Sequence, residues 1–425
     1  MNTEFENRYA TALEELFVKA PSFQVEGQRA FHPGIGQMER FAAFFNHPER
    51  SLSCIHVAGT NGKGSVAHLC ASNLAAMHPD WKIGLYTSPH LLDFRERIRI
   101  VTDSGCRMIS KEEVMEFLEE AKPFIDAENP SFFEITTMMC FWHFERSKVD
   151  MAVIETGLGG RLDSTNIISP RLSIITTIGY DHKDILGDSL EKIAFEKAGI
   201  IKNGVPVVSG EMPQEALRVI ESRAKKLGSK HIRLCNGAPK GLSDPMFASV
   251  PQIFNVRILK AAMEALGEGL DAAAIDNFRQ RTGLRGRWEK LADSPLVICD
   301  IGHNEQALAI NMPRLESLPH KMLIMVIGMA ADKDIAGVAH LYPDRARYHF
   351  VAAKGRRAMP SEKLAQVLQK QDFECHESVE QGLAAALIES EADDLVFIGG
   401  SSYVVSEALE LYSDPEAASN TTLSV

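Results

Sequence analysis

Val57-Ala58-Gly59-Thr60-Asn61-Gly62-Lys63-Gly64-Ser65 follows an apolar run that begins at Ser53 and leads into a helical pattern starting near Ser65. A strand, a glycine-rich turn with one lysine and then a helix form an anion-binding arrangement. Glycines let backbone N–H groups turn towards an anion, and the helix N-terminus adds positive dipole. Lys63 supplies a point charge for outer phosphates, and a nearby hydroxyl can face a metal ion. The common Gly-x4-Gly-Lys-Ser/Thr spacing is not met, because position 57 is Val and Gly64 separates Lys63 from Ser65. A plain glycine turn would need no lysine. Gly62-Lys63-Gly64-Ser65-Val66-Ala67 also fits a dinucleotide fingerprint, but Tyr86-Thr87-Ser88 stands where that fingerprint wants a carboxylate.

Outward from the loop, short apolar strands alternate with amphipathic helices, which predicts parallel sheets covered by helices. Strands are expected at 53–58, 83–87, 150–155, 172–178 and 205–209. The pattern restarts at 296–300 and continues at 322–327, 348–352 and 395–398. Helices are expected at 110–122, with Ser110 and Glu113 in capping-box spacing, at 360–369 and at 378–387. The Gly- and Arg-rich stretch Thr282–Arg287 marks a domain boundary, and 230–250, with Pro239, Gly241 and Pro245, reads as irregular.

The 425 residues exceed what one core usually serves, and 45% hydrophobic with 24% charged residues describes a soluble globular chain. The first residues lack the basic-then-apolar order of a signal peptide, and no run of about 18 apolar residues is present, so neither a leader nor a membrane span is expected. Seven scattered cysteines, Cys235 among them, without a Cys-x-x-Cys pair, read as buried thiols of a reducing compartment. A net charge of −12 argues against general nucleic-acid binding but leaves room for a locally positive site.

Glu155 ends the run Met151-Ala152-Val153-Ile154, His182 follows the strand that begins at Leu172, and Ser88 follows the one that begins at Ile83. Three such residues at the carboxyl edge of an open α/β sheet, beside a phosphate loop, suit a magnesium ion on a nucleotide. Singly, each has a plainer reading: an exposed Glu, a capping Ser, a satisfied core His. Gly157-Leu158-Gly159-Gly160-Arg161-Leu162 lacks the last glycine of a dinucleotide loop and reads as a close backbone approach after Glu155.

Together, Gly59–Ser65, Thr87-Ser88-Pro89-His90-Leu91, Glu155–Asn166, Lys197-Ala198-Gly199-Ile200-Ile201-Lys202, Gly286-Arg287-Trp288-Glu289 and Asp300-Ile301-Gly302-His303-Asn304 resemble the dihydrofolate synthase/folylpolyglutamate synthase family of the Mur ligase superfamily. The resemblance spans nearly the whole chain. It implies an N-terminal P-loop-type parallel-sheet ATPase domain over 1–286, binding ATP and the pterin, and a smaller Rossmann-like glutamate-ligase domain over 287–425.

By that resemblance Gly59, Thr60, Asn61, Gly62, Lys63, Gly64 and Ser65 bind ATP phosphates, while Ser88, Glu155 and His182 hold Mg2+. Lys63, His182 and Lys197 would be catalytic. Lys197 matches a lysine that is carbamylated and supports a second ion, although its amphipathic stretch, Ser189–Ile200, taken alone makes it a solvated side chain. Asn255, Arg287, Asp300 and His303 match nucleotide contacts. Phe133, Asp163 and Ser164 match the pterin site, although Phe133 also begins an apolar stretch that suits a core. Ile301 replaces a glycine of the usual motif, and a β-branched residue disfavours positive φ.

The implied reaction activates a carboxylate as an acyl phosphate, which the amino group of L-glutamate then opens. The acceptor is dihydropteroate, a folate or both. Such chemistry needs phosphate clamps and metal ions more than a nucleophilic side chain, and the chain has no Gly-x-Ser-x-Gly elbow. Closure of the second domain about the segment near 287 would exclude water and protect the acyl phosphate. A cytoplasmic monomer acting on small molecules is expected, without nucleic acid or membrane partners. Two rivals remain: a cell-wall ligase acting on a uridine-linked muramyl peptide, for whose N-terminal domain the 58 residues before Gly59 are too few, and a nucleotide-binding switch without ligase chemistry.

Overall fold

The structure, a computed structural model, describes residues 3–20, 34–234, 250–331, 333 and 335–413. Cys235 and most of the irregular stretch at 230–250 lie outside them. The chain forms two α/β units. The first holds residues 1–90 and 94–284, the second 91–93 and 285–425.

In the first unit β1 (Cys54–Ala58), β2 (Ile83–Tyr86), β3 (Ile98–Thr102), β4 (Gly105–Met108), β5 (Met151–Glu155), β6 (Leu172–Ile175), β7 (Val207–Ser209) and β8 (His231–Arg233) make one sheet in the order β4-β3-β2-β5-β1-β6-β7-β8. The run from β2 to β8 is parallel. Every residue of β1 and β5 is buried, as expected for strands covered on both faces. On one side lies the helix Lys63–Met77, buried from Ser65 to Ala75; on the other the helix Phe132–Ser147 is buried over most of its length. Both Lys111–Glu128 and Phe132–Ser147 start at capping boxes, Ser110 with Glu113 and Ser131 with Glu134.

The sheet is not wholly parallel: β3 and β4 form an antiparallel hairpin beside β2 that the apolar pattern does not announce. Arg97 and Arg99, both buried, interrupt that signal. Arg99 bonds the Gly283 carbonyl at 3.2 Å, and Arg97 donates to His90 Nδ1 at 2.8 Å while its guanidinium lies 5.1 Å from the Phe132 ring centroid. Buried charge is affordable here because it is bonded. The strand expected to reach 178 ends at Ile175: Thr176 N still bonds the Ala58 carbonyl of β1, but the Thr176 hydroxyl and Thr177 engage the glycine loop instead of continuing the ladder.

The second unit holds β9 (Glu289–Asp293), β10 (Leu296–Asp300), β11 (Leu323–Ile327), β12 (Arg347–Val351), β13 (Phe373–His376) and β14 (Leu395–Gly399), ordered β13-β12-β11-β14-β10-β9. All neighbours are parallel except β9 on β10. The two edge strands, β9 and β13, escape the sequence pattern because edges are short and polar. Helices Ser361–Leu368 and Val379–Glu389 fall within a residue or two of expectation. Among the described residues no helix is long and apolar enough to cross a membrane, and six cysteines are free thiols, four of them buried.

Candidate active site

Four adjacent parallel strands, β2, β5, β1 and β6, end at one edge of the first sheet. Ser88 follows β2, Glu155 ends β5, the glycine–lysine loop follows β1 and His182 follows β6. Sheet topology therefore collects, in spatial order, residues that are up to 123 positions apart in sequence (59 to 182).

The loop is fixed from below by the segment after β6. Thr60 N donates to the Thr177 carbonyl at 2.8 Å and Asn61 N to Thr177 Oγ1 at 3.0 Å, while Thr176 Oγ1 donates to the Asn61 carbonyl at 2.6 Å. Gly179 N in turn donates to Thr60 Oγ1 at 3.0 Å. These two threonines are site residues that sequence reasoning placed in a strand; the only signal was a Thr pair closing an apolar run. Gly59, at φ +150, sits so close to Thr176 that a Cβ would lie 1.9 Å from its Oγ1. Only glycine fits there.

From Gly62 (φ 82) the chain enters the helix Lys63–Met77, whose first backbone bond is Val66 N to the Gly62 carbonyl. The amides of Lys63, Gly64 and Ser65 precede that first bond and so have no acceptor in their own helix, which leaves them oriented for an anion at the positive end of the dipole. Asn255, on the helix Val250–Leu266, is buried against this turn: a Cβ on Gly62 would stand 2.6 Å from its Oδ1.

Glu155 is buried, accepts from Ser88 N at 3.1 Å, and its Oε2 would lie 3.5 Å from a Cβ on Gly64. A carboxylate beside a phosphate-type turn, with a serine on the next strand tip, is a hard-oxygen donor set that suits Mg2+. His182 adopts a left-handed conformation (φ 50) at the start of the short helix Lys183–Leu186, its Nε2 3.7 Å from Asp181 Oδ1. Such strain in a non-glycine residue is common where a side chain must be aimed.

Lys197 corrects the expectation drawn from its stretch taken alone. It closes the helix Leu190–Lys197, is buried, and donates to the Gly59 carbonyl at 2.7 Å. Burial and then the Lys63 charge push its ammonium down to about 7, against the pull of Asp181 and Asp163.

The glycine-rich run after Glu155 is indeed a close approach. A Cβ on Gly160 would meet the carbonyls of Glu196 and Lys197 at 3.0 Å, and one on Gly157 would stand 2.5 Å from the half-buried Phe133 ring. Asp163 is buried and bonded within its loop, its Oδ2 accepting from Leu158 N at 2.8 Å and its Oδ1 from Thr165 N at 3.0 Å and Thr165 Oγ1 at 2.5 Å. Desolvation raises its pKa. Ser164, half-buried, begins the 3-10 turn that Asp163 caps.

In the second unit, Asp300 ends β10 and accepts from Trp288 N, Gly302 N and Asn311 Nδ2 at 2.7–2.8 Å. His303 Nδ1 donates to the Ile301 carbonyl at 2.9 Å, leaving Nε2 as the acceptor of the neutral ring. Ile301 is not among the residues of positive φ, so the β-branched residue sits there without strain. Arg287 lies half-buried between Gly286 and Trp288, both of positive φ.

Two family models match this chain: the Mur ligase middle domain over residues 57–233 and the Mur ligase, glutamate ligase domain over residues 286–402. The class is therefore that of the Mur ligases. Similarity to the dihydrofolate synthase/folylpolyglutamate synthase of Escherichia coli reaches 32% identity over 374 residues, 84% of this chain and 85% of that protein. The probable bifunctional folylpolyglutamate synthase/dihydropteroate synthase of Haloferax volcanii is 31% identical over 88% of this chain, which spans 48% of that relative's length. Among solved structures, Escherichia coli FolC in complex with DHPP and ADP is 28% identical with a TM-score of 0.83, covering 95% of this chain and 97% of that one. A bifunctional folylpolyglutamate synthase/dihydrofolate synthase with Mn, AMPPNP and L-glutamate bound is 28% identical with a TM-score of 0.79, covering 90% and 95%. The chain belongs to the dihydrofolate synthase/folylpolyglutamate synthase family.

Proposed function

We propose that this protein is an ATP-dependent ligase that joins L-glutamate to dihydropteroate, to folates, or to both. The observation that carries the reading is the placement of Ser88, Glu155, the Lys63 loop and His182 on four adjacent strand tips. In the first step a carboxylate oxygen of the pterin substrate bonds to the γ-phosphorus of ATP and ADP leaves. The glutamate amine then attacks the acyl carbon, phosphate leaves, and the amine's proton passes to solvent.

The loop from Gly59 to Ser65 grips the phosphates, and Lys63 neutralises charge that spreads over the transferring group. Ser88, Glu155 and His182 would hold Mg2+, which when bound supplies neutralisation of the phosphate oxygens. The buried amine of Lys197 is the kind that adds CO2, its nitrogen bonding to carbon and its proton leaving. The resulting carbamate would be a further oxygen donor for a second ion. Phe133, Asp163 and Ser164 are assigned to the pterin, with Asp163 holding the loop in shape. Asn255, Arg287, Asp300 and His303 are assigned to the nucleotide. The same reading makes the protein a cytoplasmic monomer without nucleic-acid or membrane partners; light scattering during gel filtration tests the monomer.

Phosphate release is measured with ATP, Mg2+ and L-glutamate, offering dihydropteroate, tetrahydrofolate or a uridine-linked muramyl peptide as acceptor. Turnover is expected with one or both pterins and none with the peptide. Lys63→Ala should remove it by 10²-fold or more. Turnover on the peptide alone, or a Lys63→Ala variant of unchanged rate, overturns the reading.

A further inference from the structure

The second unit carries a cluster of polar side chains that the ligase reaction does not use. On β12, Arg347 and His349 project to one face, and on the neighbouring edge strand β13 so do Glu374 and His376. The helix Val379–Glu389 packs against this face: a Cβ on its Gly382 would lie 3.3 Å from the His376 ring. His349 is fully buried, yet its Nδ1 lies 2.9 Å from His376 Nε2 and its Nε2 lies 2.6 Å from Glu389 Oε1. His376 Nε2 is 3.9 Å from Glu374 Oε2, and one ligand atom from each of His349, Glu374 and His376 falls within 4.8 Å of the others.

We propose that His349, His376 and Glu374 form a binding site for a transition-metal dication of the zinc type, separate from the magnesium site of the first unit. Two imidazoles and a carboxylate make a three-ligand set that leaves a fourth position for water or an exogenous donor. Ligand atoms about 2.0–2.2 Å from zinc stand about 3.3 Å apart in a tetrahedron. The separations of 2.9 and 3.9 Å bracket that value. Glu389 is the orienting partner such sites need: by accepting the Nε2 proton of His349, it leaves Nδ1 as a lone pair facing His376.

Charge agrees. Arg347 pairs with Asp372, Glu374 and Glu389, so three carboxylates face one guanidinium beside two imidazoles, leaving excess negative charge for a dication. Imidazole donors favour zinc-type ions over Mg2+. Access exists as well, since the Glu374 side chain is 53% exposed. Without a metal, these groups satisfy one another as a Glu389–His349–His376 hydrogen-bond chain, which is the competing outcome.

The test titrates Co2+ into the chelator-stripped full-length protein in excess Mg2+, which occupies oxygen-rich sites, and follows the visible absorbance of tetrahedral cobalt; zinc then displaces it. One equivalent is expected in the wild type, none in His376→Ala, and 10–100-fold weaker binding in Glu389→Gln. Glu374→Ala alters an exposed carboxylate, keeps the fold and should also lose the tetrahedral spectrum. Absence of a stoichiometric signal in the wild type, or its survival in both His376→Ala and Glu374→Ala, overturns the site and leaves the hydrogen-bond chain.

Discussion

The ammonium of Lys197 reaches the carbonyl of Gly59 at 2.7 Å, so the last turn of one helix is tied to the first residue of the glycine loop. This bond explains why a lysine is tolerated where water is excluded, and it makes Lys197 report on the loop.

Because the Lys197 amine titrates near 7 in the folded protein and near its ordinary 10.5 when unfolded, stability depends on pH with a definite sign. Below 7 both states hold the proton and the folded state bears the burial penalty. Between about 7 and 10.5 the unfolded chain binds one proton more, so stability rises with pH, by up to about 1.4 kcal/mol per pH unit. Urea midpoints of wild type and Lys197→Met at pH 7, 8 and 9 should diverge in favour of the wild type. Parallel curves would remove the buried titration.

The neutral amine is also the form that captures CO2. Turnover at pH 8 should fall at least twofold in CO2-stripped buffer and recover with bicarbonate, with a smaller response at pH 6. Lys197→Met should be slow and indifferent to bicarbonate; an equal response of both proteins counts against carbamylation.

Glu155→Gln keeps the acceptor for Ser88 N but halves the donor strength at the strand tip. The Mg2+ concentration for half-maximal rate should rise by about 10-fold or more, as when a carboxylate ligand is weakened. A Mg2+ titration of initial rates decides it.

Asp163→Asn turns one acceptor oxygen into an NH2 group facing a backbone N–H, with Leu158 or Thr165 as the loser. A buried unsatisfied pair costs about 1–3 kcal/mol. Thermal unfolding should drop by several degrees and the KM for the pterin should rise with it. An unchanged melting temperature with a raised KM would instead mark Asp163 as a direct substrate contact only.

Gly157→Ala drives a methyl into the Phe133 ring, 2.5 Å away, at a cost of about 1–3 kcal/mol unless the ring turns. If the ring bounds the pterin site, its displacement should raise the pterin KM about 10-fold with the KM for ATP unchanged. Phe133→Ala should do the same without the strain. Equal rises for both substrates would place Phe133 in the core alone.

Much of this was legible in the chain because apolar runs such as Met151-Ala152-Val153-Ile154 and glycine spacing are local signals. The strand tips bearing Ser88, Glu155 and His182 followed from those runs. The hairpin of β3 and β4 was hidden because Arg97 and Arg99 are buried through specific bonds that no pattern encodes. The clamp of Thr176 and Thr177 was hidden because a threonine pair after an apolar run looks like more strand.

By itself, the sequence determined that a lysine-bearing glycine turn joins a buried strand to a helix, and that strands and helices alternate through two α/β domains. Backbone sterics and hydrophobic period are properties of neighbours along the chain, so they can be read from it. Only the tertiary structure decided that Lys197 is buried beneath Gly59, and that His349, Glu374 and His376 meet across two strands. Those outcomes depend on which strand lies beside which and how much water is left between them, and no spacing in the chain records either.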